Sequence, residues 1–180
     1  MTFPLLVSLF FIACATTTKF EPDEKTSSIA VGNIQLEAKN FQYFGNASVN
    51  GTHLSGIDIT IKNLSNGTVQ KNISSMNNGL FYFPVENNNR YQITRLYLKV
   101  GDGSGSFADI LAIPGNAIFD IGEGKVFTLD KIRWIADKKE NSYAKIIYEE
   151  SRDLKEIFSK SFMKSAWSQY VWEKVIWMKY

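Results

Sequence analysis

The sequence is poor in the residues from which most active sites are built. It holds one cysteine, Cys14, and one histidine, His53, among 180 residues. A lone cysteine excludes an internal disulfide and leaves a thiolate metal site without a second ligand. A lone histidine leaves little for a catalytic triad, a histidine-ligated zinc or a histidine proton shuttle. Excess charge of one sign is also missing, since 20 Lys and Arg stand against 18 Asp and Glu for a net charge of +2. No basic stripe interleaved with aromatics occurs, and the short run Lys138-Lys139 is followed at once by Glu140. Nucleic acid is therefore not an expected partner, and nothing in the pattern requires a cofactor or a metal. What is present is 44% hydrophobic, 14% aromatic and 21% charged residues. That is the composition of a chain able to bury one core without disulfides.

The apolar run from Phe3 to Ala13 is eleven residues long, too short to cross a bilayer as a helix but of the length of a signal-peptide core. It ends in Phe11-Ile12-Ala13-Cys14, which resembles the lipobox of bacterial lipoproteins, with Phe11 where that family usually has Leu. The resemblance implies that residues 1–13 are removed and that Cys14 is acylated. Two or more acyl chains, at about 0.8 kcal/mol per buried CH₂, hold a protein stably on a membrane. The polar stretch that follows, 14–28 with its Thr run and Pro22, has no helical or strand period and suits a tether. An ordinary secretory signal cut near Ala13 or Ala15, or a buried N-terminal strand with an inert cysteine, are the alternatives.

From Ile29 the hydrophobic period is two. Ile34, Leu36 and Ala38 alternate with polar residues, as do Ile57, Ile59 and Ile61. Leu80 to Val85 is apolar on both parities, which predicts a central strand, and Glu86-Asn87-Asn88-Asn89 predicts a hairpin turn to a return strand at Tyr91 and Ile93. Turn signals occur at Ser65-Asn66-Gly67 and Asn77-Asn78-Gly79. Phe127 and Leu129 share one parity and Ile132 and Trp134 the other, so a bulge is expected near Asp130-Lys131.

Gly56-Ile57-Asp58-Ile59-Thr60-Ile61, Asn66-Gly67-Thr68, Asn78-Gly79-Leu80-Phe81 and Tyr91-Gln92-Ile93 together resemble carboxypeptidase-regulatory-like, transthyretin-type domains. The match runs from Gly56 to Ile93, with Asn78 where the family often has Asp. It implies a Greek-key β-sandwich of about seven strands in a structural or adhesive role, without an active site of its own.

The glycine-rich stretch Gly101 to Ser106 and Gly122-Glu123-Gly124-Lys125 lack the residues of a phosphate-binding loop and read as loops. Asp102, Asp109, Asp120 and Glu123 have no calcium-loop spacing and read as solvated carboxylates. Asn-X-Ser/Thr triplets at Asn46, Asn50, Asn63, Asn66 and Asn72 read as asparagine turns.

Beyond Tyr148 the period becomes helical. Leu154, Ile157, Phe158 and Phe162 form one stripe, with Ser151 as the expected cap and an end near Lys164. The tail that follows is dense in aromatics. It either covers the sandwich and its edge or presents Trp167, Tyr170, Trp172 and Trp177 to a partner protein, glycan or membrane interface. The expected organisation is thus residues 1–13 as signal, 14–28 as lipidated Cys14 and tether, 29–148 as sandwich, and 149–180 as helix and aromatic tail. The expected protein is a non-catalytic cell-envelope lipoprotein, anchored at the outer membrane or cell surface, that binds an envelope protein or glycan. A freely secreted or periplasmic adhesin-like sandwich, and behind it a carboxylate-based hydrolase, are the alternatives.

Overall fold

Alternation of apolar and polar side chains makes a strand with one face to bury, and two such sheets bury each other. A computed structural model of the chain describes residues 28–40, 51–98, 117–137, 143–162 and 165–178. Cys14 with its apolar run, the glycine-rich stretch with Asp102 and Asp109, and Asn46 and Asn50 lie outside the described residues. In chain order the elements are β1 (Ser28–Lys39), β2 (Gly51–His53), β3 (Ile57–Asn63), β4 (Val69–Ser74), β5 (Leu80–Val85), β6 (Arg90–Leu98), β7 (Ile118–Asp120), β8 (Val126–Asp137), β9 (Tyr143–Glu149), α1 (Leu154–Ser161), a 3-10 turn (Ala166–Gln169), β10 (Trp172–Lys174) and β11 (Ile176–Trp177). The protein is mainly β and forms a two-sheet sandwich with one C-terminal helix. Among the described residues seven strands are six residues or longer, and four more of two or three residues are added at their margins.

In the first sheet β1 and β8 run parallel at the centre. β5 and β2 share the far side of β1, and β10 and β9 share the far side of β8. The second sheet has the order β11-β7-β6-β3-β4 and is antiparallel throughout. Between the sheets lie Ile34, Leu36, Ile57, Ile59, Ile61, Phe81, Phe83, Tyr91, Phe119 and Trp134, all buried. The expected bulge in β8 is present: Val31 pairs with Thr128 but Asn33 with Lys131, and Asp130 takes a φ of 55°. The extra residue switches parity so that Phe127 and Leu129 before it, and Ile132 and Trp134 after it, all face the inter-sheet core.

β5 and β6 do not form a hairpin. β5 pairs with β1 in the first sheet, whereas β6 pairs with β3 and β7 in the second, so the Asn87–Asn89 turn carries the chain from one sheet to the other. Nor is β5 central, since β1 is its sole ladder partner among the described residues. It is apolar on both faces because both are covered. Phe81 and Phe83 meet the second sheet, while Leu80 and Tyr82 lie under α1 in a second core with Ile29, Val31, Val126, Leu154, Phe158 and Trp167. The link between β7 and β8 likewise crosses between sheets.

The helix ends at Ser161, short of Lys164, and is preceded by Asp153 in the cap position with no side-chain cap bond. Ser151 instead donates its backbone N–H to Asp130 Oδ1 at 3.4 Å.

Candidate functional site

The aromatic tail is extended where the sequence suggested further helix. Ser165 Oγ accepts a hydrogen bond from Trp167 N at 3.3 Å and opens a 3-10 turn, after which Tyr170 is already extended. The tail then contributes one strand to each sheet. Trp172 to Lys174 pair with Val126 to Thr128 of β8, and Ile176 and Trp177 pair with Asp120 and Phe119 of β7. Val175 lies between them, buried in the main core, and donates its N–H to Thr128 O at 3.2 Å. The tail is therefore a strap joining both sheets along one side of the sandwich, and it covers the margin of the fold.

This placement corrects one expected binding residue. Trp167 is fully buried in the second core and is closed to any partner. Trp172 is half-buried with its ring edge-on to Phe158 at 5.4 Å. Trp177 stacks on Tyr148 at 3.9 Å and meets Phe119 at 4.9 Å. Only Tyr170 is among the exposed side chains. The four rings serve two different cores and do not form one patch.

The contact of Trp177 with Tyr148 carries a pH dependence. Burial raises the Tyr148 hydroxyl well above its ordinary value and also raises Tyr82 and Tyr91. A raised folded value means that the unfolded chain releases its proton first. The stabilisation is complete below the ordinary tyrosine value of about 10 and is lost as pH rises beyond it. Thermal melts between pH 8 and pH 11 should show Tm falling above about pH 10, and Tyr148→Phe should flatten that fall.

A site the sequence reading missed lies on the outer face of the second sheet. Ile59 of β3 pairs with Ile73 of β4, but Ile61 pairs with Gln70, so β4 has one extra residue opposite Thr60. On the other side Thr60 pairs with Arg95 of β6 and Ile61 with Ile93, so Thr94 is extra there. Two bulges thus flank the same residue. An extra residue re-aims its neighbours, and bulges collect where a side chain must be turned to a task. Here they surround an open cleft of about 570 Å³ lined by Asp58, Thr60, Val69, Lys71, Thr94, Arg95 and Tyr97.

The chemistry of this cleft is cationic above a polar floor. Arg95 Nη1 donates to Tyr97 Oη at 2.6 Å, and its guanidinium carbon lies 5.5 Å from the Tyr97 ring centre. That pair holds the long Arg95 side chain in a defined position on an exposed surface. Thr94 Oγ1 donates to Thr60 O at 3.3 Å, and Lys71 stands exposed on the opposite wall. Asp58 is nearly buried, and its carboxylate accepts a hydrogen bond from Ser74 Oγ. The sequence signal was a change of parity, because Tyr91 and Ile93 are buried on one and Leu96 and Leu98 on the other.

A second cleft, of about 730 Å³, lies at one end of the sandwich beside Leu64, Asn88, Asn89, Arg90 and Asp120. Arg90 is committed there to Asp120, with Nε to Oδ1 at 2.7 Å and Nη2 to Oδ2 at 3.0 Å. Of the other carboxylates, Glu123 accepts from Asn88 Nδ2 at 3.4 Å. Arg133 bridges Glu37 at 2.9 Å and Glu149 at 3.1 Å. Hydrogen bonding to Lys174 holds Glu150 below the ordinary carboxylate value, and Lys160 does the same for Glu156. Asn63 is buried, and its Oδ1 accepts from Ser65 N at 2.9 Å, so that triplet is a turn element. No group of three or more His, Cys, Asp or Glu able to hold a metal occurs among the described residues. No helix among them is long and apolar enough to cross a membrane. No protein family, curated protein or solved structure matches the chain.

Proposed function

We propose that this chain is a membrane-anchored lipoprotein of a bacterial cell envelope that acts as a non-catalytic module, binding an acidic glycan in the cleft over Thr60. The anchor rests on the apolar run ending at Ala13-Cys14 and on the polar stretch that joins it to β1. The adhesive role rests on the resemblance of Gly56 to Ile93 to carboxypeptidase-regulatory-like domains.

The binding reading is carried by the paired bulges, which bring Lys71, Thr94 and Arg95 to one outer face. Lys and Arg supply charge-assisted hydrogen bonds to carboxylates, and the threonines supply hydroxyl groups that match those of a sugar. The carboxylates tied to Arg90 and Arg133 and the lowered values at Glu150 and Glu156 support a role without acid–base chemistry.

Polygalacturonate, a uronic-acid polymer, is the probe for calorimetric titration against its neutral counterpart. We expect binding that weakens with salt and falls at least about tenfold in Arg95→Ala, corresponding to loss of about 1.4 kcal/mol, with the far-UV spectrum unchanged. Equal binding of the variant, or equal binding of the neutral polymer, overturns the glycan reading. The anchor is tested separately by intact mass of the wild type and Cys14→Ser expressed in bacteria. Acyl mass on the wild type alone sustains it, and its absence from both removes it.

A further inference from the structure

The direction in which the chain enters the sandwich assigns its two ends different surroundings. β1 begins at Ser28, whose Oγ lies within hydrogen-bonding distance of the loops at that end, 2.7 Å from Gly124 O and 2.9 Å from Asn87 Oδ1. The same end holds the β3–β4 turn, the Asn87–Asn89 turn and the link from β7 to β8, because Asn63 pairs with Tyr91, Arg90 with Asp120 and Ile29 with Val126. The strap arrives there too, with Trp172 level with Val126 and Ile176 level with Asp120.

Among the described residues, exposed apolar side chains are concentrated at this end. Of the large ones that are exposed among the described residues, Leu64, Tyr170, Val171 and Ile176 lie here and Val69 lies between this end and the Thr60 cleft that it lines, while Leu54 and Met76 lie at the other end. Val171 is 74% and Ile176 69% exposed, more than any of the others. They neighbour Trp172 and Trp177, half-buried rings at the margin of the fold.

The polar groups around them are largely satisfied within the protein. Glu86 Oε2 accepts from Asn66 Nδ2 at 3.0 Å and Asn89 Nδ2 at 2.7 Å, and Asp120 is paired with Arg90. Glu173 stands exposed on the strap between Val171 and Ile176, so the surface mixes aliphatic and aromatic side chains with amides, paired charges and an exposed carboxylate, which suits the headgroup boundary of a zwitterionic bilayer without calling for anionic lipid.

We infer that this end of the sandwich docks on the lipid interface through Tyr170, Val171 and Ile176, so that the domain rests on the membrane by the strap. The inference rests on the anchor at Cys14. From Cys14 to Ser28 the backbone spans fourteen residues, which reach at most about 50 Å fully extended. The end that carries the tether is held near the bilayer, and linkage turns a weak contact into an intramolecular one. The Thr60 cleft opens on the outer face of the second sheet and runs from Val69 to Tyr97, beside the strap contact and not within it.

The test uses the full chain expressed in bacteria and placed on phosphatidylcholine vesicles, with and without brominated acyl chains, which quench nearby tryptophan. Flotation and intact mass report the anchor, while emission reports docking. We expect the wild type to float and lose the emission of Trp172 and Trp177 but keep that of the buried Trp134 and Trp167, at low and high salt alike. Val171→Ser/Ile176→Ser should float equally and recover the lost emission. A chain that carries acyl groups and floats without quenching overturns docking while leaving the anchor in place. Quenching of the double variant equal to that of the wild type overturns it as well. A chain without acyl mass on Cys14 that stays off the vesicles removes both the anchor and the docking.

Discussion

Gly79→Ala is expected to cost about 2–6 kcal/mol of folding stability, read as a fall in the urea midpoint. Gly79 has a φ of 82°, where an L side chain is strained by about 1–3 kcal/mol. An added Cβ would also lie 2.5 Å from Ile34 O and 3.2 Å from the Asn33 side-chain amide. The first of these contacts is backbone and is itself fixed, because Ile34 N donates to Gly79 O at 2.8 Å. Relieving it means moving β1 at the centre of the first sheet, and overpacking of that kind adds about 1–3 kcal/mol. Gly67 isolates the two contributions. Its φ is 80°, but nothing lies within 4 Å of an added Cβ, so Gly67→Ala should cost only the backbone strain of about 1–3 kcal/mol. A Gly79→Ala loss no larger than that of Gly67→Ala would remove the steric part of this account.

Trp167→Ala is expected to cost about 3–5 kcal/mol and to loosen the helix and strap together. The ring fills the second core with Leu154 and Phe158 from α1 and with Ile29, Val31, Leu80 and Val126 from the first sheet. α1 is only eight residues long, too short to be stable alone, so this apolar contact is what holds it. Removing the ring leaves a cavity between sheet and helix that a short helix cannot close without shifting. Ile176→Ala, in the same tail but 69% exposed, should stay within about 0.5 kcal/mol. Hydrogen exchange of the amides of 154–161 and 172–177 should rise together in Trp167→Ala. Equal stability of the two variants would contradict the placement of Trp167.

The parts of the fold that were legible in the sequence are those governed by which face a residue occupies. The alternation in Ile57, Ile59 and Ile61 and the parity change between Leu129 and Ile132 both follow from burial of one side of a strand, and both are present. Ladder partners are a different matter. Leu80 to Val85 needed cover on both faces, but a helix meets that need as well as a central position does, and the alternation does not distinguish them. The tail misled for a related reason. Trp167, Tyr170, Val171 and Lys174 fit a helical spacing, yet Ser165 caps a single short turn and the backbone groups beyond it find ladders on β8 and β7. The cleft over Thr60 depends on two registers at once. One of its bulges was written in the shift from Ile93 to Leu96, whereas the one in β4 exists only relative to β3.

The parallel pairing of β1 with β8 has a consequence in time. About 90 residues separate Lys39 from Val126, so at roughly 5–20 residues per second β1 emerges from the ribosome about 5–20 s before its main partner. Over that interval the first sheet has no centre, and pairings this distant in sequence are slow to close even once both strands exist. The ladders of β1 with β5 and of β3 with β4 and β6 lie wholly within the part already made, so what waits on β8 is the joining of the two halves of the first sheet.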